Sequence, residues 1–386
     1  MLIIIIWQRF GPYHLARLRG AEGVLQREGC ACTGIEVAGR DHYAWQDVQG
    51  KTVTLFPNEQ YESVSPQRIR RAVQDHLQDL NPAAVAVNGW SVPEALAATQ
   101  WCRRNARPAI LMSETHETSG RWWKELLKRW RIRRCSAALV GGKWHADYLT
   151  SLGFPASQIV CGYDTVDNDY FQIGSERARN ANFELRRRYA LPTRYFYANT
   201  RFLPRKNVDG LLHAFADYRR AFEQHSSSGS EPWHLVISGA GEMEAVWKEL
   251  AVRLGVAHSV HWPGFVQYDE LPTYYGLASA FIHPAHREAW GLVVNEAAAA
   301  GLPLIVGNRV GAACELVQDG ENGFLVDSHD TAQLAATMTK ISTVDDRQRT
   351  AMGDRSRQMV AGFGPDQFGQ ALWTAWQHAQ TAKGQR

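Results

Sequence analysis

The stretch AFIHPAHREAWGLVVNEAAAAGLPLIVG, residues 280–307, is the most informative part of the chain. It begins with a short apolar strand that ends at Pro284 and continues through a loop that carries Glu288. A helix of small residues begins near Gly291, and a second apolar strand follows at 303–307. A strand, a helix and a strand in succession predict a parallel sheet, because parallel strands need a crossover connection.

The same alternation continues through the rest of the sequence. Strand patterns occur at LIIII (2–6), AAVAVNG (83–89), AILMS (109–113), AALVGG (137–142), RYFYAN (194–199), HLVISG (234–239) and SVHWPG (259–264). They form two series, each of which alternates with helix-like segments. We therefore predict an α/β protein with two Rossmann-like domains whose parallel sheets face a central cleft. Ligands bind outside the carboxyl ends of such strands, so we expect the active site in that cleft.

The length of 386 residues favours two domains, because a single hydrophobic core stops growing near this size. The turn-rich stretch 159–173 lacks helical periodicity and is interpreted as the connection. We expect an acceptor-side domain at 1–170 and a donor-binding domain at 171–363. An amphipathic helix at about 364–382 is expected to pack back on the first domain.

Composition limits the class of protein. With 45% hydrophobic and 21% charged residues, the chain is typical of a folded enzyme, and a net charge of +3 does not indicate a nucleic-acid partner. The six cysteines form no C-x-x-C pair, which favours a reducing cytoplasm. No apolar run approaches the roughly 18 residues that a membrane-spanning helix needs. The opening MLIIIIW lacks the basic start of a signal peptide and is predicted to be a buried strand.

Glu288 and Glu296 lie eight positions apart, which places their carboxylates roughly 10 to 12 Å from each other at a helical rise. This motif resembles the E-x7-E signature of glycosyltransferase family 4, the group 1 glycosyl transferases of GT-B fold. The resemblance implies that Glu288 orients the transferred sugar and that Glu296 binds the ribose. The backbone N–H groups of Trp290, Gly291 and Leu292 would meet phosphate or sugar oxygens. The alternative is that the two acids are a helix cap and a solvated helix residue.

Arg201 and Lys206 follow the strand RYFYAN. Family members carry a similar Arg and Lys here, and the resemblance implies that the two cations hold the donor diphosphate. As that group leaves, its negative charge grows, and fixed cations offset it. The family has Gly before the Arg, whereas this chain has Thr200.

Three further positions of the second domain match the family less specifically. Gly239, in LVISGAGEME, corresponds to the family's glycine turn; it either contacts the donor or only permits a tight turn. Phe265 and Val266 lie in the segment whose backbone faces the nucleotide base in relatives, with plain packing as the alternative.

The first domain resembles the family more weakly. Gly11, Pro12 and His14 lie where a loop meets the donor phosphate and the acceptor, and His14 is either a general base, a phosphate contact or a structural residue. Glu114 and His116 lie where relatives have a histidine near the transferred sugar, and we favour His116; helix capping is the competing explanation.

The segment RWWKELLKRWRIRR, residues 121–134, contains seven Lys or Arg and one acid, interleaved with Trp122, Trp123 and Trp130. This amphipathic, basic and aromatic pattern has two interpretations. Either the segment docks on an anionic membrane or a lipid-phosphate acceptor, or its tryptophans fill the core and its basic face is solvated.

The resemblance implies a retaining glycosyltransferase that moves a hexose from a nucleoside diphosphate sugar, a UDP-sugar by family frequency, to a hydroxyl of a saccharide or lipid-linked saccharide. Envelope polysaccharide or glycolipid synthesis in the cytoplasm, peripheral to the inner face of the membrane, is the expected setting. We expect no cofactor, no metal and no nucleic-acid partner. The motif Asp167-Asn168-Asp169 is rejected as a metal site because it does not follow a donor-domain strand. The alternatives are a sugar-nucleotide epimerase of the same architecture and a non-catalytic sugar-nucleotide or membrane-binding module.

Overall fold

A computed structural model describes residues 1–40, 52–116, 120–225 and 231–384. The chain folds into two units, which are Met1–Asp167 together with Phe363–Arg386, and Asn168–Gly362. Each unit contains one parallel sheet covered by helices, which confirms the predicted α/β class.

The sheet of the first unit has seven parallel strands. They are β1 (Leu2–Trp7), β2 (Ala31–Arg40), β3 (Thr52–Gln60), β4 (Ala84–Asn88), β5 (Ala109–Ser113), β6 (Ala137–Val140) and β7 (Ile159–Cys161), in the spatial order β3-β2-β1-β4-β5-β6-β7. Its first five helices are α1 (Pro12–Arg27), α2 (Pro66–Leu80), α3 (Pro93–Arg104), α4 (Trp122–Ile132) and α5 (Lys143–Ser151).

The first strand shows why an uninterrupted apolar run is needed here. Ile4 and Ile6 join the core on one face of the sheet, and Ile3 and Ile5 join the core on the other face. Because helices cover both faces of a parallel sheet, every position of a central strand is buried. The interpretation of MLIIIIW as a buried strand is therefore correct.

The sheet of the second unit has six parallel strands. They are β8 (Tyr195–Asn199), β9 (His234–Ser238), β10 (Val260–Gly264), β11 (Ala280–His283), β12 (Leu304–Gly307) and β13 (Gly323–Val326), in the order β10-β9-β8-β11-β12-β13. Its helices are α6 (Asn168–Asn180), α7 (Asn182–Tyr189), α8 (Val208–His225), α9 (Glu244–Arg253), α10 (Leu271–Leu277), α11 (Leu292–Ala299), α12 (Ala313–Leu316), α13 (Thr331–Thr343) and α14 (Asp346–Val360).

The last helix, α15 (Pro365–Gly384), belongs to the first unit and packs on α1. The two backbones approach closely, because a Cβ added at Gly20 would lie 2.1 Å from the carbonyl oxygen of Pro365. Glycine is needed at this crossing.

The stretch 159–173 contains the boundary between the two units, after Asp167, but it is not irregular throughout. Its first three residues form β7, and its last residues form the beginning of α6. The strand is too short to show alternation, and the helix begins at Asn168 with polar residues, so neither gives a periodic signal.

The order of the strands positions the loops that matter for function. In each sheet the chain moves outward in opposite directions from a central strand, β1 in the first unit and β8 in the second. Loops that leave the carboxyl ends of strands at such a switch point diverge and open a crevice, where ligands bind. The loop after β8 and the loop after the neighbouring β11 lie at this point of the second unit.

Candidate functional site

The loop after β8 is fixed by its own side chains and by its neighbour. It ends in a 3₁₀ turn at Pro204–Lys206, followed by Asn207 with a φ of 56°. The Asn207 side-chain amide donates to the carbonyl oxygens of Pro284 at 3.0 Å and Ser328 at 2.7 Å. Asparagine tolerates this left-handed conformation, so the turn presents Lys206 at a defined position.

Gly239 allows the loop after β9 to approach the loop after β8. It has a φ of 137°, and an added Cβ would lie 1.7 Å from the carbonyl oxygen of Thr200. The close approach to Thr200 explains why a glycine is needed for a tight turn at position 239. Contact with the donor stays a prediction.

The loop after β11 carries Glu288 and is held by backbone hydrogen bonds to the loop after β12. The Glu288 N–H donates to the Arg309 carbonyl at 3.3 Å, and the Gly311 N–H donates to the Glu288 carbonyl at 3.2 Å. Gly291 has a φ of 101° and ends this loop as the N-cap of α11, a conformation that favours glycine. Glu288 is therefore mounted on a doubly anchored backbone.

The two loops meet through their charged side chains. The Lys206 ammonium forms an ion pair with Glu288 Oε2, and an Arg205 guanidinium N–H donates to Glu288 Oε1 at 3.2 Å. The side chains of Lys206 and Glu288 are only 9% and 13% exposed, so solvent screens this pair weakly. Lys206 and Glu288, 82 positions apart in sequence, thus belong to one site.

Positive charge dominates this site. Burial lowers the pKa of Lys206 well below its usual range, and the guanidinium groups of Arg205 and Arg201 lower it further. Because the charge of Arg201 lowers the pKa of Lys206, the two predicted cations lie close enough to interact electrostatically. We call Arg201, Arg205, Lys206 and Glu288 the donor cluster; its three cations exceed its single acid, as a site for a diphosphate requires.

His283 is the last residue of β11 and lies beneath Glu288. Its Nε2 is 3.8 Å from Glu288 Oε2, and its side chain is 2% exposed. Burial lowers the pKa of His283 well below its usual value, and Lys206 and Arg205 act in the same direction. The imidazole is therefore neutral beside the cations and adds no charge to the donor cluster.

Glu296 lies inside the second unit and not on its surface, so the alternative of a solvated helix residue is wrong. It is fully buried on α11, and the Tyr275 hydroxyl donates to its Oε2 at 2.6 Å. Burial and the Glu296 carboxylate raise the pKa of Tyr275 well above its usual value. Asn199, at the end of β8, donates to the Tyr275 hydroxyl at 3.4 Å and links Glu296 to the carboxyl end of the sheet.

The remaining predicted residues of the second unit surround this site unevenly. Trp290 is 1% exposed, and its indole N–H donates to Asn295 Oδ1 at 2.8 Å, so its side chain is structural. Leu292 begins α11. Phe265 and Val266 follow β10, which is separated from β11 by two strands; Val266 is buried and Phe265 half-buried. Their backbone contacts with a nucleotide stay predictions.

In the first unit, Gly11 and His14 form the beginning of α1. The Gly11 N–H donates to His14 Nδ1 at 3.2 Å, and Pro12 occupies the first helical turn. Because Nδ1 accepts this bond, the proton of the neutral ring lies on Nε2. Burial, followed by the charge of Arg17, lowers the pKa of His14 to about 3. A neutral donor of this kind suits a phosphate contact better than a general base.

Glu114 lies beside a buried ion pair at the carboxyl ends of the strands. The distance from Arg17 Nη2 to Asp164 Oδ1 is 3.4 Å, and the two side chains are 1% and 0% exposed. Burial raises the pKa of Asp164, and Glu114 raises it further, whereas Arg17 lowers it. The Glu114 carboxylate is thus close enough to Asp164 to disfavour the ionised form of Asp164. Glu114 is therefore engaged with structural groups of its own unit.

His116 lies against the beginning of α5. Its ring centroid is 5.9 Å from that of Trp144 and 5.1 Å from that of His145. It is half-buried, and its place near the transferred sugar stays a prediction. Glu114 and His116 thus face different neighbours.

Three residues of the site were not predicted from the sequence. Arg205 precedes Lys206 and gave a signal, since two adjacent cations in a loop are a charge cluster. Tyr275 and His283 gave none, because each lies in an apolar strand or helix and acquires a polar partner only through the fold.

The predicted metal-free character of the site is not tested by the structure. Asp167 pairs with Arg19 at 3.5 Å, and the Asn168 amide donates to the Val360 carbonyl at 2.9 Å. Within the described ranges, no group of three His, Cys, Asp or Glu has a metal-binding arrangement.

Among the residues that the structure describes, no helix has the length and apolar composition needed to cross a membrane.

Comparison with known proteins places these motifs in a family. The family model described as "Glycosyl transferases group 1" matches residues 184–359, which include the whole donor cluster. A GDP-mannose-dependent alpha-(1-6)-phosphatidylinositol monomannoside mannosyltransferase of Mycobacterium tuberculosis is 30% identical over 306 residues, covering 76% of this chain and 74% of that protein. A D-inositol 3-phosphate glycosyltransferase of Salinispora arenicola is 32% identical over 206 residues, covering 52% of this chain and 45% of that protein.

Solved structures show the same fold at low sequence identity. A glycosyltransferase from Rickettsia africae has a TM-score of 0.75 at 14% identity, covering 98% of each chain. The Anabaena protein HepE, solved with UDP and glucose, has a TM-score of 0.70 at 18% identity, covering 97% of this chain and 98% of that one.

Proposed function

Because this chain belongs to the group 1 glycosyl transferases and is a glycosyltransferase of the GT-B type, we propose that it transfers mannose from GDP-mannose. The acceptor we propose is a hydroxyl group of a phosphate-bearing, lipid-linked saccharide. The observation that carries this proposal is the convergence of Lys206 and Arg205 on Glu288, with Arg201 close enough for its charge to lower the pKa of Lys206.

The choice of GDP-mannose replaces the uridine nucleotide that family frequency favoured. Two relatives that this chain matches over 74% and 80% of their length are named as GDP-mannose-dependent. Structures with bound UDP share the fold at 18% identity or less and carry no argument about the base.

The donor cluster suits the departure of a diphosphate. Lys206 and Arg201 hold its oxygens, and their charge stabilises the leaving group in place of a metal ion. Glu288 is a strong acceptor for the hydroxyl groups of the sugar, and Arg205 keeps its carboxylate oriented. Glu296, which accepts from the Tyr275 hydroxyl, is proposed to accept from the ribose hydroxyls.

We propose that the anomeric configuration is retained. GDP-mannose carries its sugar in α linkage, and the named relatives form alpha-(1-6) products. His116 is proposed to stabilise positive charge near the transferred sugar, and His14 is proposed to donate from Nε2 to a phosphate oxygen. The cytoplasmic setting remains part of the proposal and agrees with six free cysteines.

The test is a transfer assay with the purified protein. Detergent-dispersed phosphatidylinositol monomannoside is incubated with GDP-mannose, UDP-glucose or UDP-galactose, and the lipid products are analysed by mass spectrometry. We expect one added hexose with GDP-mannose, and an α-anomeric signal in the proton NMR spectrum of the product.

The controls separate the alternatives. Lys206→Ala should abolish transfer, whereas Lys248→Ala, an exposed lysine of α9, should not. Preferential use of a UDP-sugar would return the donor to the uridine class. Conversion of the donor with no acceptor present would favour an epimerase, and binding of GDP-mannose without turnover on any acceptor would favour a non-catalytic module.

A further inference from the structure

A pocket of the first unit lies outside the donor cluster and takes part of its lining from the basic, aromatic segment 121–134. It has a volume of about 320 Å³ and lies between α2, α3, α4 and the turn after β4. Four arginines and two tryptophans dominate its lining: Arg70, Arg103, Arg131, Arg134, Trp90 and Trp130. We call it the arginine pocket.

The charge of this pocket is not balanced. No acidic residue lines it, and among the residues that the structure describes none of its four guanidinium groups forms an ion pair. The repulsion is strong enough to act on one member, because burial and the charges of Arg103 and Arg131 lower the pKa of Arg134. Like charges gathered in a concave site favour an anionic ligand.

A second arginine-lined groove, in the second unit, differs from the arginine pocket because acidic residues lie among its arginines. There Arg194 pairs with Asp346 at 2.8 Å and Arg357 pairs with Asp354 at 3.0 Å. Arginines line both depressions, but only the second groove contains carboxylates. The arginine pocket has no acid in its lining to compensate its four cations.

Indole rings lie beside two of the four guanidinium groups of the pocket. The Arg134 guanidinium carbon lies 3.3 Å from the centroid of the Trp130 ring, and that of Arg131 lies 5.9 Å from the centroid of the Trp90 ring. A guanidinium stacked on an indole keeps its N–H groups in the plane of the stack. That geometry suits bidentate bonds to a phosphate.

The outer surface of α4 indicates where the phosphate comes from. Trp122, Trp123, Leu126 and Trp130 are 76%, 49%, 54% and 56% exposed, which is unusual for such large apolar side chains. The opposite side of the helix, with buried Lys128 and Ile132, faces the unit instead. The Lys128 ammonium donates to Glu125 Oε1 at 3.0 Å. Exposed tryptophans beside basic residues are typical of a helix that lies in a membrane interface.

We propose that the arginine pocket binds the phosphate of an anionic phospholipid headgroup while the exposed tryptophans of α4 enter the surface of the bilayer. Charge complementarity selects the headgroup, and the indole rings supply the apolar contact. The pocket and the helix share Trp130, so the two contacts act on one lipid surface.

The test measures cosedimentation of the full chain with lipid vesicles. Vesicles contain phosphatidylcholine alone or mixed with phosphatidylglycerol. We expect binding only to the mixed vesicles, weakened by added salt, with a blue shift of tryptophan fluorescence. The Arg131→Ala/Arg134→Ala variant should bind about tenfold or more weakly. Arg104→Ala/Arg107→Ala, which removes the same charge from exposed positions outside the pocket, should bind like the wild type.

Each opposite result overturns a defined part of the proposal. Equal vesicle binding by both double variants would exclude the pocket as the headgroup site. A tryptophan fluorescence spectrum that does not change on vesicle binding would exclude insertion of the tryptophans, even if the protein sediments with the vesicles. Displacement by inorganic phosphate would make the ligand a free phosphate and not a lipid. Tighter retention of an oligonucleotide than of the vesicles would assign the charge to nucleic acid. Thermal unfolding of each variant checks that it is folded, and none of these measurements depends on the donor.

Discussion

The donor cluster and the arginine pocket both contain several cations, but different groups accompany those cations in the two sites. In the donor cluster, Lys206 and Arg205 lie on a loop and are tied to the carboxylate of Glu288. In the arginine pocket, Arg131 and Arg134 belong to α4 and its C-terminal end, and rest on indole rings with no acid beside them. A carboxylate among cations can bind hydroxyl groups as well as orient a lysine, whereas arginines without an acid beside them offer only donors and favour an anion.

The supports of the two sites also differ. The donor cluster depends on backbone contacts between loops at the carboxyl ends of β8, β9, β11 and β12. The arginine pocket depends on the packing of helices. A site on loops is fixed only where special backbone conformations and hydrogen bonds hold it. Substitutions therefore should affect the two sites independently.

The largest expected effect separates the two sites by their ligands. Lys206→Ala removes a buried cation and leaves Glu288 facing the diphosphate with less compensation. We expect the affinity for GDP, measured by titration calorimetry, to fall about 100-fold, or ~3 kcal/mol, which is the size of a charge-assisted hydrogen bond.

The matched variant for this measurement is Arg131→Ala/Arg134→Ala. It should bind GDP with the affinity of the wild type, while Lys206→Ala should bind anionic vesicles normally. If either variant lost both ligands, the two sites would not be independent.

A second prediction concerns the loops that support the donor cluster. Gly239→Ala would place a Cβ against the Thr200 carbonyl in a backbone conformation that alanine avoids. We expect the free energy of unfolding in urea to fall by about 3 kcal/mol or more. Gly264→Ala, also at positive φ but with no atom within 4 Å of the added Cβ, should cost only about 1 to 2 kcal/mol. Equal losses would mean that the close approach to Thr200 does not matter.

The smallest effect is expected for His14, whose loop corresponds in the first unit to the loop of Lys206. Its pKa of about 3 keeps the imidazole neutral over the range in which the enzyme is assayed. His14→Gln should therefore leave the shape of the pH–rate profile unchanged between about pH 6 and 8, with a loss of rate below tenfold. A general base would instead produce an acidic limb in the wild type that disappears in the variant.

The stability of the same variant tests the sign of this shift. Unfolded histidine binds a proton near pH 6.5, and folded His14 does so only near pH 3. The unfolded state therefore holds more protons in this window, and His14 makes the wild type lose stability as the pH falls from 6.5 towards 3. His14→Gln should lose less stability over that window in thermal unfolding. Parallel curves would contradict the lowered pKa.

The sequence predicted the parts of the fold that depend on local patterns. Runs such as LIIII and AFIHP identified β1 and β11 because a buried parallel strand is apolar at every position. It missed β13 and the paired strands β2 and β3, where half-exposed residues and turn residues interrupt the apolar pattern. Element boundaries at 159–173 were lost for the same reason.

The candidate site was predictable where charge and spacing carried the signal. Glu288, Arg201 and Lys206 could be proposed together from a family motif, and the structure places Lys206 against Glu288. The roles of Tyr275 and His283 could not, because a hydroxyl and an imidazole in apolar segments reveal their partners only after folding. The arginine pocket lay beyond prediction as well, since its lining comes from three helices and a turn.

A crystal structure of this protein with GDP would show whether the donor cluster binds the diphosphate. We expect diphosphate oxygens within about 3 Å of Lys206 Nζ and of the Arg201 guanidinium, and a ribose hydroxyl bonded to Glu296. A diphosphate seated in the arginine pocket, or Lys206 still paired with Glu288 and no phosphate near either, would contradict this expectation.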